Sequence, residues 1–295
     1  MNSPSPESAA PAVLVTGASS GIGLACVHDL AQAGCTVFAG VRRAEDGERA
    51  ARLFPGRVQW LLLDVTRADQ IAAAADRVGD TVGEAGLAGL VNNAGIALGG
   101  PLEYITTEVL RRQFEINVVG PHAVTRALLP AIRRARGRIV QIGSIAGRVV
   151  SPLLGPYSAS KHALEALSDA LRMELAPDGI QVAVIEPGQV RTPIWEKGLA
   201  TSDQMMERIP PEGRQRYGGR LRVFRRIVER APGRAIPPER VAEAVRHALL
   251  APEPRTRYVL GLDARIRLWL AALLSDRMMD ALVLGFMSRL ERRLR

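Results

Sequence analysis

Tyr157 and Lys161 stand four residues apart in the run Gly155-Pro156-Tyr157-Ser158-Ala159-Ser160-Lys161. The run reads as helix, so the phenol and the ammonium share one helical face, one turn apart. Free tyrosine titrates near ~10 and needs help to exchange protons at neutral pH. A cation ~4 Å away, at an effective dielectric of ~20, favours the phenolate by up to ~4 kcal/mol, and burial takes part of that back. Ser144, thirteen positions before the tyrosine, adds a hydroxyl that can aim at the same reacting oxygen. The chemistry this suits is proton exchange at an alcohol or carbonyl oxygen. Tyr-x-x-x-Lys alone also describes a half-buried tyrosine beside a solvated lysine. Its meaning therefore rests on the elements that carry it.

Those elements alternate. Val13-Leu14-Val15 is an apolar run with the character of a buried strand, and it leads into Thr16-Gly17-Ala18-Ser19-Ser20-Gly21-Ile22-Gly23. The next residues, to about Ala33, are helix-like, with Leu24, Val27 and Leu30 on one face. Strand, glycine loop and helix present backbone N–H groups and a helix N-terminus to a phosphate. Gly17 permits the tight turn, Gly21 lets a ligand approach the backbone, and Gly23 lets the helix pack close. A second strand, Thr36 to Ala39, ends in Gly40-Val41-Arg42-Arg43, with no carboxylate before Glu45. An acidic residue there would hold a ribose 2′-hydroxyl, whereas arginine suits a 2′-phosphate. Arg42 and Arg43 thus point to NADP(H), with NAD(H) as the alternative.

Further strands are predicted over 59–63, 87–91, 138–143, 180–185 and 258–261, and helices over 69–83, 107–129 and 157–175, the last with an apolar stripe of Leu164, Leu167 and Leu171. Asp64 closes the third strand and could accept from an adenine amine. Asn117 sits among Ile116, Val118 and Val119, where an asparagine is disfavoured unless bonded or functional. Gly120-Pro121 after it predicts a kink. The pattern calls for an α/β fold with a parallel sheet of about seven strands and helices on both faces. In such sheets ligands bind beyond the carboxyl ends of the strands. Gly17, Arg42, Asp64, Asn92, Ser144 and Pro187 follow successive strands and converge there.

Composition sets outer limits. The chain has 295 residues and a formal charge of +9. Residues 1–195 hold 18 Lys+Arg and 18 Asp+Glu, while residues 196–295 hold 21 and 12, so the excess lies in the last third. Only Lys161 and Lys197 are lysines. Two cysteines, Cys26 and Cys35, offer neither a disulfide framework nor a zinc site. Residues 1–11 read as a flexible arm without the features of a signal peptide, and no stretch is apolar enough for a membrane span. A cytoplasmic location follows, with membrane association open.

Thr16-Gly17-x-x-x-Gly21-x-Gly23, Asn92-Asn93-Ala94-Gly95, Ser144, Tyr157-x-x-x-Lys161 and Pro187-Gly188 occur in this order and at these spacings. On them the chain resembles the short-chain dehydrogenases/reductases, over roughly residues 12–192 and the last strand, and its tail resembles that of retinol and hydroxysteroid types. The resemblance implies a doubly wound sheet of the Rossmann type with strand order 3-2-1-4-5-6-7, and a catalytic tetrad of Asn117, Ser144, Tyr157 and Lys161. Tyr157 would be the general acid/base, Ser144 would polarise the substrate oxygen, Lys161 would bond the nicotinamide ribose and lower the tyrosine pKa, and Asn117 would hold a relay water. Cofactor contacts would come from Gly17, Ser19, Ser20, Gly21, Ile22, Gly23, Asp64, Val65, Asn93, Ala94, Gly95, Pro187, Gly188, Val190 and Thr192. Oligomerisation as a homodimer or homotetramer is implied through the helices around Asn117 and Tyr157.

The catalytic domain is expected over 12–262, with a substrate lid over 193–235 (Ile194, Trp195, Met205, Met206, then a basic amphipathic run at Leu221, Phe224, Ile227 and Val228). Val149, Leu153 and Leu154 are expected to face the same cleft. A helix should start near Pro237-Pro238-Glu239. Residues 263–295 are expected to form one or two amphipathic helices that cover the cleft, pack an interface or touch a membrane surface. The apolar lid residues imply a lipophilic small-molecule substrate, the resemblance of the tail implies the steroid, retinoid or fatty carbonyl type, and neither a nucleic-acid partner nor a metal is expected. Two other readings are a carrier-protein-linked 3-ketoacyl reductase and a dinucleotide-binding sensor without chemistry.

Overall fold

The computed structural model describes residues 10–194, 209–230 and 235–294. Seven parallel strands form one sheet in the order β3-β2-β1-β4-β5-β6-β7. They are β1 (Ala12–Thr16), β2 (Thr36–Val41), β3 (Val58–Leu62), β4 (Gly89–Asn92), β5 (Arg138–Ile142), β6 (Gln181–Pro187) and β7 (Arg257–Leu260). Alternation along β1 shows why the sheet is covered on both sides. Val13 and Val15 enter one core cluster, while Leu14 enters the other.

Helices α1 (Gly21–Gln32) and α2 (Ala44–Leu53) lie on the Val13 side, and α3 (Ala68–Val82) lies on the Leu14 side. The segment that forms α2 carries no helical expectation from its sequence. The helix sits on β3 through Gly47, where an added Cβ would fall 2.6 Å from the Trp60 ring.

The helix expected over 107–129 is three pieces. They are α4 (Thr107–Phe114), one π-helical turn (Glu115–Val119) and α5 (Gly120–Ala135). The irregularity therefore lies before Gly120-Pro121. Pro121 directly follows the π-helical turn, where its missing N–H leaves that turn one backbone donor short. Gly120 is needed because Val65 packs against it, with Val65 Cγ2 2.7 Å from where a Cβ would be.

Helix α6 (Gly155–Leu175) carries the Tyr157 motif. Its buried line runs through Leu164, Ser168 and Leu175, and Leu167 is exposed, contrary to the expected stripe. After β6 come α7 (Pro211–Arg230) and α8 (Pro238–Leu250), the latter packed on α1. Two helices, α9 (Leu262–Leu273) and α10 (Asp276–Arg292), follow β7. Helix α10 packs on α7. Trp195, Met205 and Met206 of the expected lid lie outside the described residues.

Candidate active site

At the carboxyl ends of the strands lies a cleft of ≈ 780 Å³. Its first wall is the turn from β1 into α1. Gly17 and Gly21 have φ +64 and +56, in the left-handed region where a side chain is strained. Ser20 has extended backbone and makes no side-chain cap, which leaves the first-turn N–H groups of α1 open to an anion. Gly23 does not line the cleft. An added Cβ there would fall against the Gly17 carbonyl oxygen and 2.5 Å from Asn93 Nδ2, so its role is the close packing of helix on loop.

Asn93 braces that loop. Its Nδ2 donates to the Thr16 and Gly17 carbonyls at 2.9 and 3.1 Å. Thr16 Oγ1 in turn accepts from the Asn93 and Ala94 N–H groups, each at 3.0 Å. Thr16 is a positioning residue whose role the sequence did not single out. A residue that can donate and accept at a strand end beside a glycine loop was the available signal.

Arg42 lines the cleft beside Asp64, Val65 and Ser19. Arg43 does not. Its guanidinium is 3.0 Å from Asp46, a carboxylate held below its usual range in spite of its burial by hydrogen bonds from Arg43 and Arg49. Arg43 thus anchors the start of α2, and of the two arginines only Arg42 lines the cleft. Asp64 lines the cleft with one oxygen already engaged, since Oδ1 accepts from the Thr66 N–H and hydroxyl at 3.0 and 2.8 Å. Ser19, Ser20, Ile22, Val65, Ala94, Gly95, Pro187, Gly188, Val190 and Thr192 all line the cleft.

Ser144, Tyr157 and Lys161 meet at its centre, and all three are buried. Ser144 Oγ accepts from the Ala146 N–H at 3.1 Å and is hydrogen-bonded with Tyr157. Lys161 Nζ donates to the Ile142 carbonyl at 2.7 Å. The electrostatics differ from expectation. Burial holds the Tyr157 phenol above its ordinary value, opposed only by the hydrogen bond with Ser144. Burial also pushes the Lys161 ammonium down to about 8, opposed by the charge of Glu165. Desolvation acts on both members of the pair and outweighs the attraction of the ammonium for a phenolate.

Asn117 stands behind the cleft and does not line it. Its Oδ1 accepts from the Ile96 N–H at 2.9 Å, and its Nδ2 donates to the Ile96 carbonyl at 2.9 Å and to Ser160 Oγ at 3.1 Å. Ser160 Oγ donates to the Tyr157 carbonyl at 2.7 Å. The asparagine therefore ties the irregular wall segment 96–98 to α6. Gln113, one turn earlier on α4, also holds that segment, accepting from the Leu98 N–H and donating to the Ile96 carbonyl at 2.8 Å each.

The apolar lining comes from Ile96, Ala97, Leu98, Ile116 and Ile194. Val149, Leu153 and Leu154 do not contribute. Val149 packs with Ile145 and Ala264, against Leu268 and Met279 of the C-terminal helices. Leu153 closes on the glycines at 99 and 100, accepting from the Gly100 N–H at 2.8 Å.

The glycine cradle, the open N-terminus of α1 and Arg42 fit a dinucleotide phosphate, and the three central side chains fit a reacting alcohol or carbonyl. The short chain dehydrogenase family model matches residues 11–203. Retinol dehydrogenase 5 of Mus musculus is 39% identical over 94% of this chain and 89% of its own length. An NADPH-dependent 3-dehydrocapnine reductase of Ornithobacterium rhinotracheale is 36% identical over 90% of this chain and 94% of its own. A solved short-chain dehydrogenase from Streptomyces avermitilis superposes with TM-score 0.76 at 32% identity, covering 96% of this chain and 98% of that one. One from Burkholderia cenocepacia, solved in complex with NADP, gives 0.69 at 27% identity, covering 92% and 96%. The chain belongs to the short-chain dehydrogenase family, as a retinol dehydrogenase-like oxidoreductase.

Proposed function

We propose that the chain is an NADP(H)-dependent oxidoreductase that interconverts a lipophilic primary or secondary alcohol and its aldehyde or ketone, of retinoid, steroid or fatty carbonyl type. The observation that carries this reading is the meeting of Ser144, Tyr157 and Lys161 in the cleft that also holds the glycine loop. When bound, the dinucleotide supplies or accepts the hydride. Tyr157 gives a proton to the substrate oxygen in reduction and takes it in oxidation. Ser144 holds that oxygen by hydrogen bonding, and Lys161 bonds the nicotinamide ribose and stands by the tyrosine. Asn117 keeps the wall and helix in register around them.

Arg42 in the cleft supports the choice of NADP(H), as do a reductase relative named for NADPH and a neighbour solved with NADP. The apolar wall at Ile96, Leu98, Ile116 and Ile194 supports a lipophilic substrate, in keeping with the retinol dehydrogenases among the relatives. Assays of retinal, decanal and a ketosteroid with NADPH and NADH test this. NADPH should be preferred, and Arg42→Asp should move the preference toward NADH.

The surface supports two further parts of the reading. On α9, Leu262, Ile266, Trp269 and Leu273 are exposed at spacings that place them on one stripe. On α10, Met278, Leu282 and Phe286 form a second exposed stripe that runs into Arg289 and Arg292. No described helix is long and apolar enough to cross a membrane. An apolar stripe ending in arginines suits peripheral contact with an anionic lipid surface. Exposed Leu110, Val119 and Leu167 on the outer faces of α4 to α6 support a homodimer or homotetramer built on those helices.

A further inference from the structure

Behind the cleft, α6, β6 and β7 enclose a second group of charges. Glu165 stands one turn after Lys161 on α6 and is buried, and Glu186, near the end of β6, is fully buried. Arg257, opening β7, reaches Glu165 Oε2 at 3.2 Å, Asp169 Oδ2 at 2.7 Å and Glu186 Oε1 at 3.2 Å. Arg148, just beyond Ser144, donates to Glu186 Oε1 at 3.2 Å. Arg172 takes the other oxygen of Asp169 at 2.8 Å. Glu165 is thus faced by Lys161 and Asp169 from its own helix, Glu186 from β6, Arg257 from β7 and Arg148 from the loop after β5.

The guanidiniums do not reach every carboxylate oxygen of this group. Glu165 Oε1 and Glu186 Oε2 are buried without a hydrogen-bond partner among the described residues. Two carboxylates so placed resist ionising together. Burial and the Glu186 charge push Glu165 up to about 7. The side chain is also fixed in place. An added Cβ at Gly143 would fall 2.9 Å from Glu165 Oε1, and one at Gly147 3.1 Å from its Cγ. Gly143 directly follows Ile142, whose carbonyl holds Lys161 Nζ.

We propose that Glu165 is a positioning residue for Lys161. From one turn behind it, the carboxylate keeps the ammonium charged in a site whose burial would otherwise strip the proton, and Arg257 and Glu186 set how much charge Glu165 carries. A negative charge one helical turn away in a partly desolvated interior moves a neighbouring pKa by about one unit or more. The inference rests on the reading of Lys161 as a working residue of the cleft, and its test does not use turnover.

The chain has two lysines, Lys161 and Lys197, so lysine labelled with carbon-13 at Cε gives two resonances in the full-length protein, and Lys197→Arg assigns them. The wild-type Lys161 signal should lose its proton near pH 8. Its curve should show a first step near pH 7, as Glu165 ionises. In Glu165→Gln the first step should vanish and the midpoint fall by about one pH unit, and Glu165→Asp should restore part of it. A folded Glu165→Gln protein with the wild-type midpoint overturns the proposal. If that variant does not fold, a one-step wild-type curve overturns it instead. Full turnover by Tyr157→Phe would instead defeat the functional reading and leave these shifts untouched.

Discussion

Lys161 Nζ lies over the face of the Tyr157 ring, 5.9 Å from its centroid. Both side chains are buried, and burial works against the charged form of each. The phenol is held above its ordinary value and the ammonium is pushed down to about 8. Burying the pair therefore costs the fold stability, and this has a measurable sign.

Lys161 in the unfolded chain titrates near ~10.4, and in the fold near about 8. Below pH 8 both states are charged, and the folded state bears the full penalty of a buried ammonium. Between the two values the unfolded state binds more protons, so stability rises with pH across that window. Lys161→Met should remove the penalty, stabilising the protein by roughly 3 kcal/mol at pH 7, with the gain shrinking toward pH 10. Chemical denaturation at both pH values checks this. Equal stability of the two proteins at pH 7 would mean that the ammonium is better solvated than its burial implies.

Gly23→Ala addresses the cradle. The added methyl group would meet the Gly17 carbonyl and Asn93 Nδ2, both held by the Thr16–Asn93 bonds. Neither can retreat without opening the loop. A loss of about 1–3 kcal/mol in stability is expected, with NADPH affinity at least tenfold weaker by fluorescence titration. Wild-type affinity would show that the loop does not depend on this contact.

The outer faces of α9 and α10 make a separate prediction. The chain should sediment with vesicles of mixed phosphatidylcholine and phosphatidylglycerol, and less with phosphatidylcholine alone. Trp269→Glu with Phe286→Glu should abolish sedimentation without lowering turnover of a water-soluble aldehyde. Both residues are solvent-exposed, at 64% and 59%. Unchanged sedimentation would place the lipid contact elsewhere or nowhere.

The strands and the glycine loop were legible because each depends on local signals, while the strand order came with the family resemblance. Apolar runs, a glycine loop and a four-residue spacing need no knowledge of distant partners. What the sequence did not reveal was decided by contacts between remote segments. Arg42 and Arg43 are adjacent and identical in type, yet only Asp46, one turn into an unforeseen helix, removes Arg43 from the cleft. Val149 looks like a cleft residue until the C-terminal helices supply Ala264 and Leu268 to bury it. Asn117 signalled a bonding role by its apolar setting, but its partners Ile96 and Ser160 lie 21 and 43 residues away. The raised Tyr157 value depends on total burial, which a four-residue spacing cannot convey.

Turnover by Tyr157→Phe bears most directly on the central claim. Loss of the hydroxyl should lower kcat/KM for NADPH-driven reduction of an active aldehyde by ~10²–10⁴-fold, while NADPH affinity and melting temperature stay near wild type. Full turnover by a folded, cofactor-binding Tyr157→Phe protein would contradict the assignment of Tyr157 as the proton donor, and with it the mechanism built on this cleft.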